Sequence, residues 1–582
     1  MEIISAAAFL DTLGLKPPSL AALHEGADNY RALLFQPVAR IEASAVGVRN
    51  SDRALALAQF EGFLRLAAAT KADMAVTPEY SLPWEVLLSV LKAKIAPPKG
   101  AIWVLGCESI TQAELLALQA EHKDTVALHF ETLAEEADKF LDPLVYVFEA
   151  VAKDTAKPIL VALVQFKTSP MGDKKHFERS NLQTGKSVYL FGDAGKENHL
   201  VGILCSDAFA LSGEIAKEIY SRALVVHIQL NEAPRQSQYR QYRERLFNFK
   251  EDETEVLCLN WAGNACEIED KKEKNWKNNS CSAWYVKSGD FDHSDETIAK
   301  NHKLGLYYTW LEPSRVHAMF LNFEPAVFLV EATKVAHRKV IASQSNRRGP
   351  QLRQTYGWVP AKAAWSLRDA VSDGFAEISK HAGKAESDVT SICKTNPIAA
   401  ERALALSAGA IRRQREWHDV AKLDSCVLDA TEIIRRITFC QDNDDTAAQF
   451  RVARLRRCGT LWTILATDAE LPKSMVDMKA GFKLSWDPAK PHCNVMSTSG
   501  EPATLIYMGE DIAPDQCDAV FTFLAEQLRA HPVANEDDTL RARQRLAVWY
   551  RDNGQLRCIG PERFVKIDKE ANASPVDITR AE

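Results

Sequence analysis

The chain predicts an α/β protein with an additional helix-rich C-terminal α/β region, and three observations carry that reading. At 582 residues it is too long for one hydrophobic core, so two or three domains are expected. Up to about residue 345, short β-rich runs alternate with stretches whose apolar residues recur at helical spacing. From about residue 350 the texture changes, first to "RRGPQLRQTYGWVPAK", which reads as a linker or extended arm, and then to an almost continuously helical pattern over 361–440. The expected division is 1–345 and 346–582.

Taken in order, "ARIEASAVGV" (39–48) reads as the first strand. "SDRALALAQFEGFLRLAAATKA" (51–72) carries leucine, alanine and phenylalanine at helical spacing, with Ser51 or Asp52 as N-cap. "DMAVTPEY" (73–80) is a short buried strand stopped by Pro78, and "AIWVLGCES" (101–109) is another. "TQAELLALQAEH" reads as a helix, and "DPLVYVFEAVAKDTAKPILVALVQFK" carries two strands. "SVYLFG", "HLVGILC" and "ALVVHIQLN" follow, then the charged helix "SQYRQYRERLFNFKEDE" and the strand "EVLCLNWAGN". "SCSAWYVKSGD" and "RVHAMFLNFEPAVFLVEA" complete the first part. Further on, "CGTLWTILATD" and "PATLIYMGED" read as strands and "DQCDAVFTFLAEQLRAH" as an amphipathic helix; the last dozen residues read as a frayed tail.

Composition narrows the classes. Hydrophobic residues make up 46% and charged residues 26%, and the formal charge is −7, which offers no electrostatic case for nucleic acid or an anionic membrane. From residue 351 onward, 31 Lys+Arg stand against 33 Asp+Glu, so the basic runs "AIRRQREW" and "VARLRRCG" read as faces of amphipathic helices. The run "QDNDD" (441–445) lacks the glycine and terminal glutamate of a calcium loop. No window has the 18 uncharged apolar residues of a membrane span, and the start lacks a basic n-region, so a cytoplasmic protein is expected. Twelve cysteines are scattered without a CxxC pair, which argues against structural zinc and leaves the metal prediction at none.

The chemistry centres on "HLVGILCSDAFALSGEI" (199–215), where an apolar run stops at Cys205. Read alone, Cys205 is a core thiol. At the end of a strand, however, it can reach a pocket, and the backbone N–H groups from Ser206 onward would favour a thiolate there. Two other charged residues end buried runs: Glu79 in "AVTPEYS" and Lys167 in "LVALVQFKTSP". A carboxylate or ammonium in such a place is costly unless partnered, which points to a site. Lys174 and Lys175 lie in a polar loop and read as solvated.

Glu79, Lys167 and Cys205 resemble, in order and rough separation, the Glu-Lys-Cys set of the nitrilase, or carbon–nitrogen hydrolase, superfamily over residues 36–335. "HFERSNLQTGKSVYLF" is similar to the family's stretch after its lysine, with Glu178 and Gly185 at the matching positions. "VGILCSDAF" resembles the nucleophile motif, "CLNWAGN" the strand ending in Asn-x-x-Gly, and "NNSCSAWYV" the serine-bearing strand after it. Ser206 stands where the family often has an aromatic residue, "AFALSGE" where it often has Phe-Pro-Glu, and Ser169 where a histidine is usual. The long interval from Glu79 to Lys167 implies an insertion around 110–150.

The resemblance implies an αββα sandwich and hydrolysis of a small amide or nitrile through a thioester. Cys205 would be the nucleophile, Glu79 the base, Lys167 and the N–H of Ser206 the oxyanion donors, and Glu178 would orient Lys167 or share the proton relay; no cofactor is implied. Asn260 and Trp261 are candidate pocket walls. A homo-oligomer is implied by analogy. A glutaminase or acyl-transfer half is disfavoured because the C-terminal part has no Gly-rich phosphate loop. The alternative of another class is a catalytically weak scaffold whose C-terminal region binds a protein partner in a larger assembly, of the kind found in bacterial defence systems.

Overall fold

In the computed structural model the described chain forms two compact units, residues 1–371 and residues from 372 onward. The structure describes residues 1–562 apart from 25–28, 135, 137, 172–177, 193–197, 221, 233–236, 248–253, 264, 270–271, 276–281, 288–306, 312–315, 322–323, 334–349, 369–374, 411–444, 468–470, 488 and 531–535. Lys174, Lys175, the C-terminal tail, "QDNDD" up to Asp444, and most of "AIRRQREW" lie outside them.

The first unit is built from two stacked sheets. One has eight strands in the order Glu2–Ser5, Ser187–Phe191, His199–Leu204, Ala223–Ile228, Thr254–Leu259, Ala283–Lys287, Val316–Phe320 and Tyr307–Leu311. The other has ten, with Asn29–Gln36, Met74–Leu82 and Ile102–Cys107 parallel at its centre and Pro143–Ala152 and Pro158–Phe166 antiparallel beside them. Alternate residues of both sheets meet in one core: Leu34, Val76, Val104 and Tyr146 from one, Leu200, Leu204, Val226 and Leu257 from the other. The opposite face of the ten-stranded sheet (Leu33, Phe35, Trp103, Leu105) is covered by helices Arg53–Thr70 and Trp84–Lys92. Gly213–Ile219 and Ser237–Phe247 cover the outer face of the eight-stranded sheet, where Tyr242 bonds His227 and the Ile219 carbonyl bonds His199. Strands buried on both faces read as continuous apolar runs. The αββα sandwich is therefore present.

Local sequence explains the helices. Asp52 caps Arg53–Thr70 by accepting from the Leu55 N–H, and Phe60, Phe63 and Leu64 face the sheet. The implied insertion contains the capping-box helix Gln112–Glu121 and the strand Ala127–Phe130, which pairs parallel to Pro158–Phe166.

Two sequence expectations are corrected here. The span 39–48 is not a sandwich strand: Arg40–Ser44 and Gly47–Asn50 form a hairpin in a separate four-stranded sheet, and the sandwich uses Asn29–Gln36. Its alternating polar residues mark it as half-buried. The stretch read as a linker is the strand Gln351–Val359, paired antiparallel to Ala326–Thr333, and Ala364–Leu367 pairs to it in turn. These edge strands carry the first unit past the expected 345/346 boundary to Val371.

The second unit has a five-stranded sheet in the order Phe482–Leu484, Val495–Ser497, Pro502–Glu510, Leu546–Asp552, Gln555–Ile559. Leu505, Tyr507, Ala547 and Trp549 face one helical layer, while Ile506, Met508, Leu546 and Val548 face Phe521 and Leu524 of helix Pro514–Ala530. "CGTLWTILATD" is not a strand but the end of helix Asp445–Thr467. Its β-branched and aromatic content is outweighed by the helical spacing of the buried Leu455, Cys458, Leu461, Trp462 and Leu465. Arginines of "VARLRRCG" are used inside this unit: Arg457 bonds the Ala408 carbonyl and Arg454 lies 3.8 Å from Glu401. Among the described residues no helix is long and apolar enough to cross a membrane.

Three strands of the sandwich end where the chemistry is. Pairing of Met74–Leu82 with Ile102–Cys107 is irregular between Thr77 and Leu82, which bulges Pro78, Glu79 and Tyr80 out of register, with Tyr80 at φ +55°. A Cβ on Gly106 would lie 2.1 Å from the Pro78 carbonyl oxygen, so the neighbouring strand tolerates the bulge only with glycine there. We expect Gly106→Ala to lower stability by about 1–3 kcal/mol, read as a lower urea midpoint with unchanged slope; an unchanged midpoint would show that the bulge is not held by this contact.

Candidate active site

Glu79 sits in the bulge of Met74–Leu82, Lys167 follows Pro158–Phe166 directly, and Cys205 follows His199–Leu204 directly. Carboxyl ends of sheet strands are where α/β folds gather functional groups. Here two strands of the ten-stranded sheet bring residues 88 positions apart into direct bonding. Lys167 Nζ donates to Glu79 Oε1 at 2.8 Å and to Glu178 Oε1 at 2.7 Å, and lies 3.5 Å from Asp142 Oδ2. All four side chains are buried.

The Glu79 and Glu178 carboxylates are each fixed from a second side. Glu79 Oε2 accepts the Leu230 N–H at 2.5 Å, and Trp261 Nε1 donates to the Glu79 carbonyl at 2.8 Å. Glu178 accepts from the Tyr80 hydroxyl at 2.9 Å and the Met171 N–H at 2.7 Å. Burial pulls the Lys167 pKa down, but Glu178, Glu79, Cys205 and Asp142 outweigh it, so the ammonium titrates well above the ordinary lysine range. Burial raises Glu79 above the usual carboxylate range despite Lys167, whereas in Glu178 the lysine and its other donors outweigh burial and hold the pKa down.

Cys205 adopts φ +34°, a left-handed conformation that costs a non-glycine residue free energy and is found at functional turns. Its backbone is pinned: its N–H donates to the Ile228 carbonyl, and His227 Nε2 lies 3.0 Å from its carbonyl oxygen. His227 is itself braced by the Tyr242 hydroxyl at Nδ1, and burial, with Arg243 and Lys167 nearby, lowers its pKa to about 3, so the ring is neutral. The sulfur lies 3.3 Å from the Tyr239 hydroxyl on helix Ser237–Phe247. The expectation that the turn lowers the thiol pKa is overturned. Burial first, then Glu79, push it well above the ordinary range, against the opposing pull of Lys167 and the Tyr239 hydrogen bond. The following helix, Asp207–Ala210, is only four residues long and supplies little dipole. At rest the sulfur is a thiol with a buried carboxylate close enough to influence it.

The remaining expected residues take various places. Ser206 turns its hydroxyl to the Ser169 carbonyl at 2.6 Å, leaving only its backbone for the site. Asp207 accepts from Thr168 N–H, Thr168 Oγ1 and Ser169 N–H, tying the turn after Cys205 to the segment after Lys167. Asn260, expected as a pocket wall, works as a staple: its side chain accepts from the Asn231 and Trp261 N–H groups and donates to the Asn231 carbonyl. Trp261 packs with Tyr80, Phe140 and Leu182 in an apolar cluster beside Glu79. Sequence reasoning missed Asp142, Tyr80 and Tyr239. Asp142 carried the same signal as Glu79, an acid beside a proline at the edge of an apolar run, and Tyr239 with Tyr242 formed an i, i+3 aromatic pair.

Among the described residues, Glu79, Asp142 and Glu178 offer oxygens within 4.8 Å of one another, the spacing of metal ligands. Lys167 Nζ lies within 3.5 Å of all three, so the cation of this cluster is the lysine itself.

No protein-family profile and no curated protein matches the chain. Among solved structures it is similar to an amidase from Nesterenkonia sp., at 12% identity over 45% of this chain and 84% of that one, with a TM-score of 0.25. It is also similar to a mutant of the Nesterenkonia sp. AN1 amidase with the acetamide moiety of fluoroacetamide on its active-site cysteine (12%, 45% and 84%, TM-score 0.27). A cysteine-to-serine mutant of that amidase, described as from the nitrilase superfamily, matches at 12%, 44% and 83%, with a TM-score of 0.25. At such identity the likeness is one of fold at most, and the chemistry below is read from this chain's own side chains.

Removing the lysine tests the electrostatics. We expect Lys167→Met to destabilise the protein by about 3–5 kcal/mol at pH 8, because carboxylates lose their buried cation. Their folded-state pKa values then rise above the unfolded ones, so the missing stability returns on acidification and is lost as pH rises. The gap to wild type in urea melts should shrink from pH 8 to pH 5; a gap independent of pH would show that the lysine contributes packing alone.

Proposed function

We propose that residues 1–371 form a cysteine-dependent hydrolase of non-peptide carbon–nitrogen bonds, acting on a small amide or nitrile. The observation that carries this reading is one buried ammonium bonded to two carboxylates beside the Cys205 thiol, at the ends of three strands. The site is enclosed, with Cys205 2% exposed, which favours a small substrate.

For an amide the steps follow from the groups present. Glu79 takes the thiol proton as the sulfur bonds to the carbonyl carbon. Its raised pKa suits a base that must bind that proton and release it again. The developing oxyanion meets Lys167, whose ammonium stays charged, and the backbone N–H of Ser206; one such donor is worth roughly 2.7–4 kcal/mol. The Tyr239 hydroxyl, on the sulfur, donates to the thiolate as it forms. The C–N bond breaks as Glu79 returns the proton to the leaving nitrogen. Water then attacks the thioester, giving its proton to Glu79 and restoring the thiol as the acid departs. Glu178 keeps Lys167 in place throughout.

Incubation with a panel of small amides and with cell extract, followed by intact-mass analysis, tests this. An acyl adduct on Cys205 is expected, absent in Cys205→Ala, and Glu79→Gln should slow its formation by about 10²–10⁴-fold. An adduct that persists in Cys205→Ala, or forms as fast in Glu79→Gln, would overturn the assignment.

A further inference from the structure

The mechanism above leaves one buried acid unused. Asp142 lies between Phe140–Leu141 and Pro143–Ala152 and is 0% exposed. Its backbone carbonyl accepts the Lys167 N–H at 3.0 Å, which fixes the two residues side by side. Counting donors separates it from its neighbours. Glu178 has three, Lys167 Nζ, the Tyr80 hydroxyl and the Met171 N–H; Glu79 has two, Lys167 Nζ and the Leu230 N–H. Neither carboxyl oxygen of Asp142 meets a hydrogen-bond donor among the described residues, and the nearest cation, Lys167 Nζ, stands 3.5 Å away.

Three ionised carboxylates around one ammonium would leave two uncompensated negative charges out of reach of water, a costly arrangement. A proton retained in the cluster removes one of them, and it belongs on the carboxyl with no donors, because a neutral acid supplies its own. The groups facing Asp142 bear this out. Glu79 and Tyr80 come from one strand, Cys107 from the next, Lys167 from the end of a third, and Glu178 from a short helix. Tyr80 and Cys107 are pushed up by burial and stay neutral, so the carboxyls alone share the proton. Burial, with Glu79 next to it, holds Asp142 well above the usual carboxylate range.

We propose that Asp142 is a neutral carboxylic acid that donates a hydrogen bond to Glu79, making it a positioning residue for the base. The bond holds Glu79 ionised and oriented at rest, free to accept the Cys205 proton. The proposal deepens the hydrolase reading, and its role in catalysis rests on that reading.

Two variants and two measurements test it. Asp142→Asn keeps the shape and a donor; Asp142→Leu keeps the volume and loses the donor. In the infrared difference spectrum of wild type against Asp142→Asn at pH 7, we expect a protonated-carboxyl band that shifts on carbon-13 aspartate labelling. A carboxylate band in its place overturns the proposal, whatever the reactivity of Cys205. Alkylation of Cys205 by iodoacetamide across pH, followed by mass, should stay within about threefold of wild type in Asp142→Asn and fall tenfold or more in Asp142→Leu, the scale of a displaced base. Asp142→Asn should also keep its rate to higher pH than wild type, having no acid to ionise. Equal loss in both variants overturns the proposal. If Cys205 of the wild type reacts no faster than Cys205 of Glu79→Gln, the hydrolase reading falls and the positioning role with it, while the infrared band still decides where the proton sits.

Discussion

The buried ammonium of Lys167 is the interaction on which the rest of the site depends. A lysine with 1% exposure is stable only among compensating anions, and anions at equal depth are stable only around a cation. Each makes the other tolerable. The bulge that turns Glu79 inward, the short helix that brings Glu178, and the Pro143 strand that brings Asp142 therefore converge on one nitrogen. The ten-stranded sheet makes this possible by setting three of its strands within reach of one another, and Asp207 and Ser206 tie the segment after Lys167 to the turn of the eight-stranded sheet that holds Cys205.

That cluster also sets the state of the nucleophile. A thiol beside a buried carboxylate, out of water, resists ionisation, so Cys205 waits as a thiol and needs a base at the moment of attack. The protein spends backbone strain to hold it there: φ +34° at Cys205 is kept by the Ile228 carbonyl, by His227 beneath the Cys205 carbonyl, and by Tyr242 beneath His227. Helix Ser237–Phe247 thus braces the nucleophile through Tyr242 and touches it through Tyr239.

Much of this was legible in the chain because charge at the end of an apolar run is expensive. Glu79 and Lys167 stood out for that reason, and Cys205 for its place at a strand end. Asp142 showed the same sign in "FLDPLV" and was passed over, since acid before proline is also common turn chemistry. The stapling bonds of Asn260 were not legible because spacing does not reveal which way an amide spends its hydrogen bonds. The strands Gln351–Val359 and Ala364–Leu367 look like a linker because few of their side chains are buried, so no continuous apolar run marks them. The end of helix Asp445–Thr467 carries strand-like residues, and tertiary packing at helical spacing decided against local propensity.

The charge state of Lys167 tests the account most directly. Nitrogen-15 NMR of selectively labelled lysine, with Lys167→Met to assign the signal, should show its ammonium persisting to a pH above that at which the exposed lysines titrate. Titration of Lys167 at or below the pH of the surface lysines would mean that the carboxylates do not hold a cation, and the physical basis of the site would be gone.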